Sequence, residues 1–197
     1  RGNNAHKLVT EKLQEEGPLF FGVSEPKCDP SRWPEVCGYD KIAAKGDRVL
    51  GYLRYGCELK HNERASDSDL LVLDVANGRR IYYAYQSNAN AKIGQNGIDT
   101  LELIQADIRA APGRQYMLVG DLNAHIGKNA AGRIVLDMSK RGARVIETKG
   151  PTYKKVIDGR STYSTIDLAV CSEGVRCSAD VLPTHLSDHN ILCVRCG

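Results

Sequence analysis

The sequence has no apolar run approaching the roughly 20 residues that a membrane span requires, so nothing in it points to the bilayer. Its opening, RGNNAHKL, lacks the apolar stretch of a secretory signal. The seven cysteines (Cys28, Cys37, Cys57, Cys171, Cys177, Cys193 and Cys196) are odd in number and scattered. That pattern does not read as a disulfide framework, and reduced thiols of an intracellular protein are expected. Cys193 and Cys196 form a lone C-x-x-C, but a zinc site needs a second pair at suitable spacing. Two thiols near the end of a terminal strand are expected instead. There is no internal repeat, low-complexity tract or linker, so the 197 residues read as a single domain with an ample core. Charge of one sign is also lacking, since the net charge is only +3. It is unevenly spread, however. Residues 128–160 hold nine Lys and Arg against three acids, a plausible phosphate-binding footprint or a solvated basic loop.

What is present alternates helix and strand, which favours a layered α/β domain. Residues 5–16 put Ala5, Leu8, Val9 and Leu13 on one helical face, with Asn3 or Asn4 as a cap and Gly17-Pro18 as a stop. Strands are expected at 19–25, 49–54, 69–75, 80–85 and 116–120, with 165–170 and 190–195 as the last two. Asn77-Gly78 signals a two-residue hairpin turn. A second helix is expected over 98–110, where Ile98, Leu101, Ile104 and Ile108 share a face. Several strands end on polar residues, as at Glu25 and Asp121, and in layered α/β folds chemistry often sits beyond strand ends.

Four segments couple an apolar strand to carboxylate, amide or histidine: VSEP (23–26), VGDLNAHIG (119–127), STIDLAV (164–170) and LSDHNIL (186–192). Singly, each has a plain structural reading. Glu25 could be a strand-end surface acid, and Asp121-Leu122-Asn123 an Asx turn. Asp167 inside an apolar strand is odder, because a buried carboxylate needs a partner. His189 could be that partner. Together the set suits hydrolysis of a phosphate ester. Carboxylates such as Glu25 suit magnesium, amides such as Asn123 can donate to a phosphate, and an aspartate-oriented histidine can act on an attacking water.

GDLNAHIG, then STIDLAV, then LSDHNIL closely resemble the endonuclease/exonuclease/phosphatase superfamily, and more nearly the apurinic-endonuclease-like domains of non-LTR retrotransposons. VSEP matches that family's early metal-binding acid, and AYQSN (84–88) its tyrosine-bearing strand end. The resemblance implies a four-layered α/β sandwich, with two mixed sheets face to face and helices outside. It implies that Glu25 and Asp188 bind metal, Mg²⁺ with Mn²⁺ as a substitute. Tyr85 would contact the phosphate. Asp121 and Asn123 would serve phosphate and water, Asp167 would orient the histidine, and His189 would be catalytic. Asn88, Ser164, Thr165, Lys154 and Lys155 would face DNA.

The activity implied is nicking of one strand of double-stranded DNA, leaving a 3′-hydroxyl that primes reverse transcription. A reverse transcriptase domain in the same polyprotein, a nuclear location, and a monomeric isolated domain away from membranes go with it. A catalytically dead DNA-binding remnant, or a phosphoesterase acting on another ester, are the alternatives. Relatives usually begin with a strand carrying an asparagine near the metal. This chain is expected to lack that strand and so to be N-terminally truncated. Ser164-Thr165 stand where damage-repair relatives carry a bulky aromatic, so no strong abasic-site preference is expected. Trp33 reads as a loop anchor or a DNA-stacking residue, and His125 as a loop-surface histidine.

Overall fold

The computed structural model describes residues 2–26, 29–87, 100–185 and 187–197. In chain order these form α1 (Gly2–Glu16), β1 (Phe20–Ser24), β2 (Tyr39–Ala43), β3 (Val49–Arg54), β4 (Leu59–His61), β5 (Leu70–Val75) and β6 (Arg80–Tyr85). Then follow α2 (Thr100–Ala110), β7 (Tyr116–Asp121), α3 (Ala130–Lys140), β8 (Arg144–Val145), β9 (Tyr153–Ile157), β10 (Arg160–Ser164), β11 (Asp167–Cys171), β12 (Cys177–Leu182) and β13 (Ile191–Cys196).

The main sheet has six strands in the order β4-β5-β6-β7-β11-β8. It is mixed: β6 and β7 run parallel, and every other neighbour is antiparallel. A parallel pair needs a crossover, and α2 supplies it. Strand alternation sends Leu70, Val72, Tyr82, Ala84, Leu118 and Leu168 to one face, where Leu101 and Ile104 of α2 and Val135 and Met138 of α3 cover them. The other face sends Leu71, Tyr83 and Tyr85 against Val49, Phe20 and Ile42 of the sheet β1-β3-β2. Farther along that face Ala169 and Cys171 meet Ala179, Leu192 and Val194 of the β12–β13 pair. Helix α1 closes the outside, with Val9 and Leu13 packed on Trp33, Tyr39, Leu50 and Tyr52. The result is a four-layered sandwich: helix, sheet, sheet, helices.

Some expectations are corrected. The second sheet layer is two antiparallel pieces rather than one mixed sheet, and among the described residues neither β1 nor β13 pairs on its other edge. Asn3 and Asn4 lie inside α1 rather than capping it. The β5–β6 turn spans three residues, because Val75 N–H donates to Arg79 O at 2.9 Å around Ala76-Asn77-Gly78. The strands at 165–170 and 190–195 are not consecutive, since β12 lies between them. Nor are all the thiols reduced. Cys177 and Cys196 face each other across the β12–β13 register with Cα atoms 4.2 Å apart, and they form a disulfide. Cys193 stays free. Trp33 is buried against His6 and is a loop anchor.

Gly120 is fixed by contact. Its φ is +147°, and a Cβ there would lie 2.0 Å from the Ala84 carbonyl oxygen on β6. Gly120→Ala should therefore break the parallel pairing beside Asp121. A loss of about 2–5 kcal/mol is expected, read as a lower urea midpoint. An unchanged midpoint would refute the contact.

Candidate active site

Strand register assembles the centre. Parallel pairing sets Tyr85 opposite Asp121, and antiparallel pairing sets Asp121 opposite Asp167. Tyr85, Asp121 and Asp167 thus form one row across β6, β7 and β11, on the face that meets the second sheet layer. Like charges directly opposite on a sheet are unfavourable, and both aspartates are buried. Burial first, then the Asp167 charge, pushes Asp121 up to about 7, against the opposing pull of His189 and the Asn123 N–H.

His189 offsets part of that charge. It arrives on the loop before β13 with Nδ1 3.0 Å from each Asp167 carboxylate oxygen and Nε2 3.8 Å from Asp121 Oδ2. Burial disfavours its charged form, but the Asp167 hydrogen bond and the charges of Asp167, Asp121 and Asp188 outweigh burial and hold it above the usual imidazole range. The carboxylate selects the Nδ1–H tautomer and leaves Nε2 turned toward Asp121.

Glu25 follows β1 in a left-handed conformation (φ 47°), with its N–H donated to Arg48 O at 2.8 Å. Its Oε1 accepts the Tyr85 hydroxyl at 2.7 Å. Burial, then that bond and the Glu25 charge, hold the Tyr85 phenol above its usual range, so it stays a donor. Asn123 is also left-handed (φ 45°) and buried, with its Nδ2 donating to Gln86 O at 2.8 Å. Asn129 secures this loop. As N-cap of α3 it accepts from Gly132 N–H, and its Nδ2 donates to Asn123 O at 2.7 Å.

The remaining candidates lie around this centre. Asp188 is exposed and contributes its carbonyl to Lys154 N–H at 2.9 Å. The β9–β10 hairpin carries both lysines, but on opposite faces. Lys154 pairs with Tyr163 and lies over its ring at 5.9 Å, whereas Lys155 shares the face of Tyr153. The Tyr153 ring is 4.7 Å from that of His189, so Lys155 is on the side of the histidine. Ser164 is half-buried opposite Tyr153, Thr165 is exposed, and His125 is exposed. Asn88 lies outside the described residues.

Ligand atoms of Asp121, Asp167 and His189 all fall within 4.8 Å of one another; Glu25 and Asp188 are outside that compact group. Two buried carboxylates set opposite each other, with Glu25 close enough to raise Asp121, make a surplus of hard oxygen donors that fits a divalent cation.

Several contributors escaped the sequence reading. Arg48 pairs with the buried Asp69 and lies 5.6 Å over the Tyr85 ring. Asn129 is signalled by its place before the helical run Ala131, Val135, Met138. Arg48 has no such local signal, because its contacts are made by sheet packing.

No protein-family profile and no curated protein sequence matches the chain. Solved structures do. The endonuclease domain of TRAS1, a telomere-specific non-LTR retrotransposon, superposes with a TM-score of 0.71 at 18% identity, covering 97% of this chain and 90% of that one. The mannosyl-6-phosphatase Bt3783 of Bacteroides thetaiotaomicron gives a TM-score of 0.68 at 13% identity, over 100% and 91%. An endonuclease/exonuclease/phosphatase family protein from Leptotrichia buccalis gives 0.65 at 12%, over 98% and 92%.

Proposed function

From a chain that has the endonuclease/exonuclease/phosphatase fold, we propose a divalent-metal-dependent DNA endonuclease that nicks one strand of double-stranded DNA and leaves a 3′-hydroxyl. The observation that carries this reading is the Asp121–His189–Asp167 arrangement with a basic hairpin joined to its edge. Asp121, near neutrality, is poised to take a proton from the attacking water. His189, held in place by Asp167, brings positive charge to the phosphate oxygens. Tyr85 and Asn123 border the same space. Glu25 and Asp188 would hold the magnesium ion, with manganese as a substitute. When bound, the ion supplies charge neutralisation at the phosphate and at the departing 3′-oxygen.

The proposed setting is a retrotransposon polyprotein in the nucleus, where the 3′-hydroxyl primes a reverse transcriptase domain of the same chain. The domain itself would act as a monomer. The similarity to a retrotransposon endonuclease domain supports this choice. A phosphatase of similar fold supports a second reading, hydrolysis of a smaller phosphate ester. No described helix is long and apolar enough to cross a membrane.

Supercoiled plasmid incubated with the chain in magnesium should yield open circles, and EDTA should prevent it. A sugar phosphate monoester assayed in parallel should release little phosphate. Rapid phosphate release without nicking would overturn the nuclease reading in favour of the second. Binding to plasmid without either reaction would favour a dead remnant. Reversing both lysines (Lys154→Glu with Lys155→Glu) should weaken duplex binding and reduce its logarithmic salt slope by about 1–2 units. Lys155, on the side of His189, should account for most of the change. An unaltered slope would remove the hairpin from the DNA contact.

A further inference from the structure

We propose that Thr152 is a positioning residue that locks Asp167 to His189, an inference that rests on the catalytic reading of that pair. Thr152 is fully buried. Its Oγ1 accepts two backbone hydrogen bonds, from Ile166 N–H and Asp167 N–H, each 3.1 Å long. Those residues lead into β11 at the point where Asp167 turns its carboxylate toward the histidine.

The same short segment also grips the histidine loop. Thr152 O accepts from Asn190 N–H at 2.7 Å, and Pro151 O accepts from Asn190 Nδ2 at 3.0 Å. Lys154 N–H donates to Asp188 O at 2.9 Å, and Tyr153 lies against the His189 ring. Residues 151–154 therefore bond to the chain on both sides of His189, while the Thr152 hydroxyl alone reaches across to Asp167. Two partners far apart in sequence are tied to one four-residue strap.

The hydroxyl is the part that matters. It offers two lone pairs to two buried N–H groups. Valine has nearly the same shape but no acceptor. With valine, those N–H groups can be satisfied only if the start of β11 moves. A displacement approaching 1 Å at the Asp167 carboxylate is enough to cost about 100-fold in turnover. Serine keeps the acceptor and should keep the alignment.

The test compares the native chain with Thr152→Val and Thr152→Ser in two ways. The first is the downfield proton resonance of the imidazole Nδ1–H bonded to Asp167, which is read without DNA. The second is kcat and KM for plasmid nicking. The resonance should be present in the native chain, lost or moved upfield in Thr152→Val, and restored in Thr152→Ser. Nicking kcat should fall about 10–100-fold in Thr152→Val with KM unchanged, and recover in Thr152→Ser. An unmoved resonance in Thr152→Val, or its absence from the native chain, overturns the proposal. If the native chain does not nick DNA but the resonance follows the hydroxyl, the nuclease reading fails and the positioning role stands. Should Thr152→Val not fold, Thr152→Ala is read by the same resonance, and its retention there overturns the proposal equally.

Discussion

His189→Ala is expected to lower the rate of plasmid nicking by about 10²–10³-fold, the usual cost of removing one preorganised group that stabilises developing charge. Three contacts set that size. Nδ1 is committed to Asp167, Nε2 faces Asp121, and the ring is braced by Tyr153. Alanine removes the cation that these carboxylates surround and leaves Asp121 and Asp167 opposed in the sheet with nothing between them. Duplex affinity should change little, because the exposed lysines and arginines of the 128–160 segment remain. Asp167→Asn keeps the shape but loses the charge that raises the imidazole. It should therefore be impaired as well, by a smaller factor. Single-turnover nicking at saturating protein measures both. A loss under threefold for His189→Ala would take the histidine out of the reaction.

Stability without metal should fall as pH rises from 4 to 8. Asp121 is raised from the ordinary carboxylate range to about 7, so the folded chain retains a proton that the unfolded chain has released. Stability from that proton is present at low pH and is lost as pH climbs to 7 and beyond. His189 acts in the same direction, since its raised value gives stability that is full below the unfolded imidazole range and is lost above it. The Asp121 share of that loss is on the order of 3–4 kcal/mol, or roughly 6–15 °C in Tm for a domain of this size. A divalent cation on Glu25 and Asp188 would offset the negative charge that burdens ionised Asp121, so magnesium should raise Tm more at pH 8 than at pH 5. Thermal melts in EDTA and in magnesium, on the native chain and Asp121→Asn, give the answer. Equal native Tm at both pH values in EDTA would mean that the carboxylate pair carries no such load.

The strands that flank the centre were readable because burial writes a pattern into them. RIYYAY and YMLVG are apolar on both faces, as strands covered on both sides must be. Asp167 was conspicuous for the same reason, as one carboxylate in a wholly buried strand. The β9–β10 hairpin was not readable in this way. Its residues are exposed on both faces, so no alternation marks it, although Asp158-Gly159 is a turn signal. Helix α3 carries a legible apolar face of Ala131, Val135 and Met138 behind Asn129, but the basic charge of its segment reads equally as a binding footprint or a solvated loop. The pairing of Cys177 with Cys196 depends on the β12–β13 register, which spacing alone cannot supply. Arg48 and Thr152 act through contacts made only when distant strands meet, so neither has a local signature. The row of Tyr85, Asp121 and Asp167 is likewise a product of register.

That row also governs when the protein can first act during its own synthesis. The chain emerges from the ribosome in order, and domains form as their parts become available. Glu25, Tyr85, Asp121 and Asp167 are all translated before the histidine, and the six-stranded sheet has its last member in β11. A nascent chain that has reached β12 thus holds Glu25, Tyr85, Asp121, Asp167 and the β9–β10 hairpin, but lacks both Asp188 and the imidazole. On the proposed function, an unfinished polypeptide would be inert, and cutting would begin only once His189 had emerged and folded back against Asp167.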